Sequence, residues 1–211
     1  MMDVVDNIEL YLPQYLSDSE KTRLKEELSK FPMDGTKDTV YTSSLKDAEY
    51  LLQGDGINNV PYLSFPNTTI NNVPVLLLSN TCDMSTENKR MNECRIMYSP
   101  ILKLEKYEEL LKKNYTPDRV ENHLKEIRNQ YISQILYLPK GANLDYEGIV
   151  FFDRSISIPL TEELVKEMCK NKLFTLSNFG FYLYLLKLSI HFTRIQEKID
   201  RSTGEDLGIK K

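Results

Sequence analysis

Histidine is scarce in this chain: of 211 residues only His123 and His191 are histidine, and both fall in segments with helical spacing. A serine or cysteine nucleophile needs a neighbouring base, most often histidine, so catalysis of that kind has little to draw on. Cysteine is sparse too. Cys82, Cys94 and Cys169 are odd in number and lack metal-ligand spacing. They argue against a disulfide scaffold or a zinc site and for a reducing, cytoplasmic setting. No apolar run reaches the roughly 20 residues that span a bilayer. The longest, Phe179 to Ile190, is broken by Lys187. The opening Met1-Met2-Asp3-Val4-Val5-Asp6 is acidic and has no apolar segment of the signal-peptide kind, so the expectation is an intracellular chain without membrane association. No Gly-rich phosphate loop or paired-carboxylate motif is visible. The formal charge of −4 supplies no overall field toward nucleic acid or an anionic membrane, although it leaves a local basic groove open.

What is present suggests one core. With 41% hydrophobic residues the chain reads as a single domain over residues 1–200, followed by a polar tail, 201–211, expected to be disordered. Its most strand-like run is Pro74 to Leu78, bounded by Asn71-Asn72 and Asn80, and its unbroken apolar character predicts a strand buried on both faces. Arg95 to Leu102 supplies an antiparallel partner across a long polar loop. Val60 to Phe65 reads as a further strand between the turn pairs Asn58-Asn59 and Asn71-Asn72, and Gln53-Gly54-Asp55-Gly56 as another turn. Asp38 to Ser43 predicts a short strand, whereas Leu45 to Leu52 is ambiguous.

Helical spacing marks Ser19 to Phe31, Leu104 to Lys113, and Thr116 to about Tyr131, the last with Pro117 in its first turn. Strands return at Ile135 to Leu138, Gly148 to Phe152 and Ser155 to Ile158. Thr161 then caps a helix ending near Lys170, and Ser177 or Asn178 caps a last helix running toward Asp200. That helix is apolar on several faces, so it is expected to be buried. The fold class is therefore α+β, with short strands forming a small barrel, helical insertions and a buried C-terminal helix.

The order of these motifs resembles the MazF/PemK growth-inhibitor family of toxins, which are SH3-like barrels. The matching stretches are Gly54-Asp55-Gly56, then Val73-Pro74-Val75-Leu76-Leu77-Leu78-Ser79, then Ser99-Pro100-Ile101-Leu102, with Gly148 to Ile158 a weaker candidate for a later barrel strand. In active members, an arginine before the first proline and a serine or threonine two residues after the second carry RNA cleavage. Here those positions hold Val73 and Leu102. Neither side chain can move a proton or hold a phosphate oxygen. The resemblance thus implies the barrel without its catalytic pair, unless Arg90, Arg95 or Lys103 reaches the site from elsewhere.

The candidate binding residues are Asp55, the strand-end cluster Ser79, Asn80, Thr81, Cys82 and Asp83, and the cations Arg90 and Arg95. A catalytic Cys82 would want a histidine, and the adjacent Asp83 would raise its pKa, so a structural cysteine in a polar turn is the stronger reading. Asp83 and its neighbours read as loop organisers, and Asp55 as a turn former before a site residue. The thirteen tyrosines suit core and rim packing better than base stacking, for want of a basic stripe. The functional expectation is a catalytically silent interaction or regulatory module in a bacterial stress or anti-phage circuit. An endoribonuclease with a relocated active site is the alternative. A protein partner is favoured over RNA, a homodimer stays open, and no metal or other cofactor is expected.

Overall fold

The apolar run that opens at Val75 is a strand with a core on each side in the computed structural model, which describes residues 40–45, 47–64, 66–85, 91 and 93–192. Successive side chains of a strand point to opposite faces. Along β3 (Thr69–Leu77), Val75 and Leu77 pack with Ile57, Ile96 and Tyr98, whereas Leu76 and the following Leu78 pack with Ile101, Val150 and Phe174. The double burial read from the sequence is thus observed. The predicted helix at Ser19 to Phe31, the start of the predicted strand at Asp38, Arg90, the tail 201–211 and the last helix beyond Phe192 lie outside the described residues.

The other strands are β1 (Tyr41–Thr42), β2 (Gly56–Ser64), β4 (Arg95–Lys103), β5 (Ile135–Leu138), β6 (Gly148–Phe151), β7 (Ile156–Pro159) and β8 (Lys172–Leu176). They form one antiparallel sheet in the order β1-β8-β2-β3-β4-β6-β5, with β7 also on β4. With its helices, the chain is an α+β protein. The expected pairing of β3 with β4 is present, with Leu76 opposite Ser99.

Three sequence expectations need correction. Asn71-Asn72 is not a turn but lies within β3, opposite Tyr62 and Pro61. The hairpin reverses further on, past Ser64, because this solvent-exposed arm has no core to reject polar residues. Asn58-Asn59 sits in β2 at a bulge, where Asn59 takes the left-handed conformation that asparagine tolerates (φ 59°), and its Oδ1 accepts from Asn72 Nδ2 at 3.1 Å. Leu45 to Leu52 forms neither helix nor strand among its described residues. Strand β8 went unread, because only Asn171 separates it from the preceding helix and its first residue is a lysine.

Helices α1 (Leu104–Lys112) and α2 (Pro117–Arg128) pack Leu104, Val120, Leu124 and Ile127 over Ile135, Tyr137 and Ile149. Thr116 precedes α2 without a side-chain capping bond. Helix α3 (Glu162–Lys170) is capped as expected, with Thr161 Oγ1 accepting from Leu164 N–H at 3.2 Å. Ser177 Oγ accepts from Gly180 N–H at 3.1 Å at the start of α4 (Asn178–Phe192). That helix buries Phe179, Tyr182, Leu183, Tyr184 and Lys187. Gly180 is required where α4 crosses the chain entering β1, since a Cβ there would lie 2.2 Å from the Val40 carbonyl oxygen.

A polar bracket ties α4 to the far edge of the sheet. Lys187 Nζ donates to the carbonyls of Gln130 and Ile132, each at 2.8 Å. The Gln130 side chain accepts from Tyr137 N–H at 3.0 Å and donates to Tyr137 O at 2.6 Å. One amide therefore occupies the outer edge of β5 much as another strand would.

Candidate functional site

The sheet divides at two prolines. The β3–β4 ladder stops at the pair Val75 and Pro100. Beyond it β3 stays with β2, with Val73 opposite Val60, while β4 turns to β6, with Leu102 opposite Ile149. Proline has no N–H to give a ladder, and Pro74 stands where the next rung would form. The strands part there and leave a groove of about 670 Å³.

Val73 and Leu102 both line this groove, so the structure brings together the two positions that stood out in the sequence. Around them stand cations. Lys103 lies over the Tyr146 ring at 4.8 Å from its centre, and Arg154 lies 4.2 Å from the centre of the Phe151 ring. Lys106 joins them from α1. Among the described residues none of the three is held in an ion pair, although Asp153 lines the same groove. Tyr62 also lines the groove and donates to the Arg154 carbonyl at 3.2 Å. Burial pushes the Tyr146 phenol up to about 12, reinforced by Asp145, so it stays protonated near neutrality. The arrangement is suited to holding an anionic chain over an apolar floor.

The histidines lie elsewhere. His123 hydrogen-bonds Tyr107 at 3.2 Å between α1 and α2, and His191 packs on Phe152 at 5.7 Å between ring centres. Lys103, noted in the sequence, does reach the groove. Lys106, Arg154, Tyr62 and Tyr146 were not singled out there; the signal for Arg154 was its place inside the candidate later barrel strand.

Of the predicted site residues, Ser79, Asn80 and Thr81 serve a structural role away from the groove, while Arg90 lies outside the described residues. Ser79 Oγ accepts from Met97 N–H at 2.7 Å, and Asn80 Oδ1 accepts from Cys82 N–H at 2.9 Å, capping a short 3-10 turn at Thr81–Asp83. Thr81 Oγ1 accepts from Gln53 N–H at 3.0 Å, which docks this loop on the Gln53 to Gly56 turn. Cys82 is exposed. Arg95 lies along β7 instead, donating to Ser157 O and to Glu93 Oε2, both at 2.9 Å, so it does not reach the groove.

Asp55 is a turn former, the first of the two readings its sequence context offered, and not a surface site. It is 0% exposed and cannot contact a partner. Its Oδ2 accepts from Leu52 N–H at 2.9 Å, forming the turn that Gly54 completes in the left-handed conformation (φ 87°), and from Lys172 Nζ at 3.0 Å. The Lys172 side chain is itself only 4% exposed and also donates to Tyr50 O at 3.1 Å. Burial pushes the Asp55 carboxyl up, against the opposing pull of Lys172, Leu52 N–H and the nearby Thr175 hydroxyl. Neither Asp55 Oδ1 nor Thr175 Oγ1 completes a hydrogen bond of good geometry.

Among the described residues no group of three His, Cys, Asp or Glu side chains could hold a metal ion, and no helix is long and apolar enough to cross a membrane. Compared with known protein families and with curated proteins, the chain matches none.

Proposed function

We propose that the protein is a divergent relative of the MazF/PemK barrels that binds a protein partner in this groove and does not cleave RNA. Its setting would be the cytoplasm, as an interaction or regulatory module in a bacterial stress or anti-phage circuit. One observation carries the reading. Val73 and Leu102 line one groove and bring it no acid, base or phosphate-holding group, while Lys103, Lys106 and Arg154, in no ion pair among the described residues, keep it attractive to anions. Two contacts support viewing β2, β3, β4 and β7 as an SH3-like barrel: Tyr62 reaches the carbonyl of Arg154, and Tyr98 that of Pro61. They tie the β2–β3 arm to β4 and to the turn that precedes β7.

A second reading, an endoribonuclease with a relocated centre, has in its favour that Lys103 reaches the groove and that Asp153 stands beside Arg154. The two readings separate on long unstructured RNA in low salt without added metal. General acid–base chemistry contributes about 100- to 10,000-fold, and electrostatic stabilisation a comparable amount. On the first reading the groove's cations hold an anionic chain but no group there moves a proton, so the RNA should stay intact. Fragments with 5′-hydroxyl ends that vanish in Asp153→Asn or Arg154→Ala would establish the nuclease instead.

A further inference from the structure

We propose that the partner enters as an extended acidic segment that adds, as a further strand, to the edge of β3 left without a neighbouring strand among the described residues, a reading that rests on the groove being a protein-binding site. The backbone direction along β3 follows from two hydrogen bonds. Leu77 N–H donates to Asp55 O on the β2 side at 2.9 Å, whereas Leu78 N–H donates to Met97 O on the β4 side at 2.8 Å. Backbone groups alternate along a strand. Ile70 and Asn72 therefore turn their N–H and C=O away from β2, and Pro74 turns its C=O the same way. The β4 ladder that would satisfy them has already ended at Val75.

The exposed arm agrees with an unfilled edge, since Ile70 is 69% exposed and Asn72 is exposed as well. Strand edges of this kind are templates for a peptide, whose main chain supplies affinity and whose alternate side chains supply specificity. The groove fixes the chemistry of the occupant. Val73, Leu102 and Ile156 offer an apolar floor, and Lys103, Lys106 and Arg154 outnumber Asp153. A segment alternating acidic and apolar residues satisfies both. Nucleic acid would satisfy the cations but has no regular N–H and C=O ladder to pair with β3.

The test uses the full chain and a blocked decapeptide of alternating glutamate and valine, followed by fluorescence anisotropy and amide hydrogen exchange. Two further versions carry N-methyl groups on every second residue, one on each parity. Strand addition uses the N–H groups of one parity only, so one methylated version should bind about tenfold or more weakly and the other nearly as well as the parent. The parent should slow exchange at the Ile70 and Asn72 amides. Equal binding by both methylated versions, unchanged exchange at those two amides, or protection there by an RNA decamer with no peptide binding would each overturn the proposal. Peptide binding without strand addition would leave the protein-binding reading standing, whereas RNA cleavage would remove it.

Discussion

Replacing Asp55 by alanine is expected to destabilise the protein by about 3 to 5 kcal/mol, the usual cost of removing one member of a buried ion pair. The loss does not measure the strength of the pair. It measures the charge left behind, because Lys172 would keep a 4% exposed ammonium with only the Tyr50 carbonyl for company. Leu52 N–H would lose its acceptor at the same time. Substituting both partners as Asp55→Asn with Lys172→Met keeps an oxygen for Leu52 and removes the stranded charge, so it should recover much of the loss. The sign of the carboxyl shift agrees. Burial holds its folded pKa above the usual 3.8, so its contribution is complete below that value and fades as pH rises through the folded one. Urea unfolding of the single and double variants checks this. A double variant as unstable as Asp55→Ala would show that the side chains themselves, not an orphaned charge, set the cost.

Lys187 predicts the opposite slope with pH. Burial pushes its ammonium down from 10.5 to about 7. Between those values the unfolded chain holds a proton that the folded chain has released, so stability rises with pH across the window. Each pH unit there is worth about 1.4 kcal/mol for a group fully converted. From pH 7 to 9.5 the gain is therefore at most about 3 kcal/mol. The Gln130 and Ile132 carbonyls, at 2.8 Å, also favour the charged form and reduce it. A neutral amine can still donate to both carbonyls, so the bracket between α4 and the β5 edge survives deprotonation. Denaturation of the parent and Lys187→Met across this range isolates the effect. Parallel pH profiles would mean that Lys187 stays charged throughout.

Elements with strong local signals were legible in the sequence. The double burial of β3 showed as an unbroken apolar run, and Thr161 and Ser177 announced α3 and α4 with side-chain caps that the structure retains. What escaped was decided at long range. Asn71 and Asn72 carry a turn signal but pair with a strand, since cross-strand partners outweigh local preference on an exposed hairpin. Lys172 opens β8 with a charge that looks misplaced until Asp55, more than a hundred residues earlier, is seen to hold it. The polar cluster after β3 drew attention because strand ends often bear chemistry, yet its hydroxyls and amide are engaged in anchoring the loop. The groove was legible in its apolar half and in one cation, Lys103. Val73 and Leu102 stood out as missing catalytic groups, whereas Arg154 and Lys106 sit in a candidate strand and a helix whose patterns say nothing of the groove, and they meet only when the sheet divides.

Whether that groove is the working surface is tested most directly by comparing the affinity of the alternating glutamate–valine peptide for the parent, for the triple variant Lys103→Ala, Lys106→Ala, Arg154→Ala, and for Arg95→Ala. Exposed charge pairs contribute about 0.2 to 1 kcal/mol each, so losing three should weaken binding by roughly tenfold. Arg95, held by Ser157 of β7 and by Glu93 just ahead of its own strand, should matter little. Tenfold weaker binding by the triple variant, with Arg95→Ala matching the parent, is the predicted result; unchanged binding by the triple variant, or an equal loss in Arg95→Ala, would contradict it.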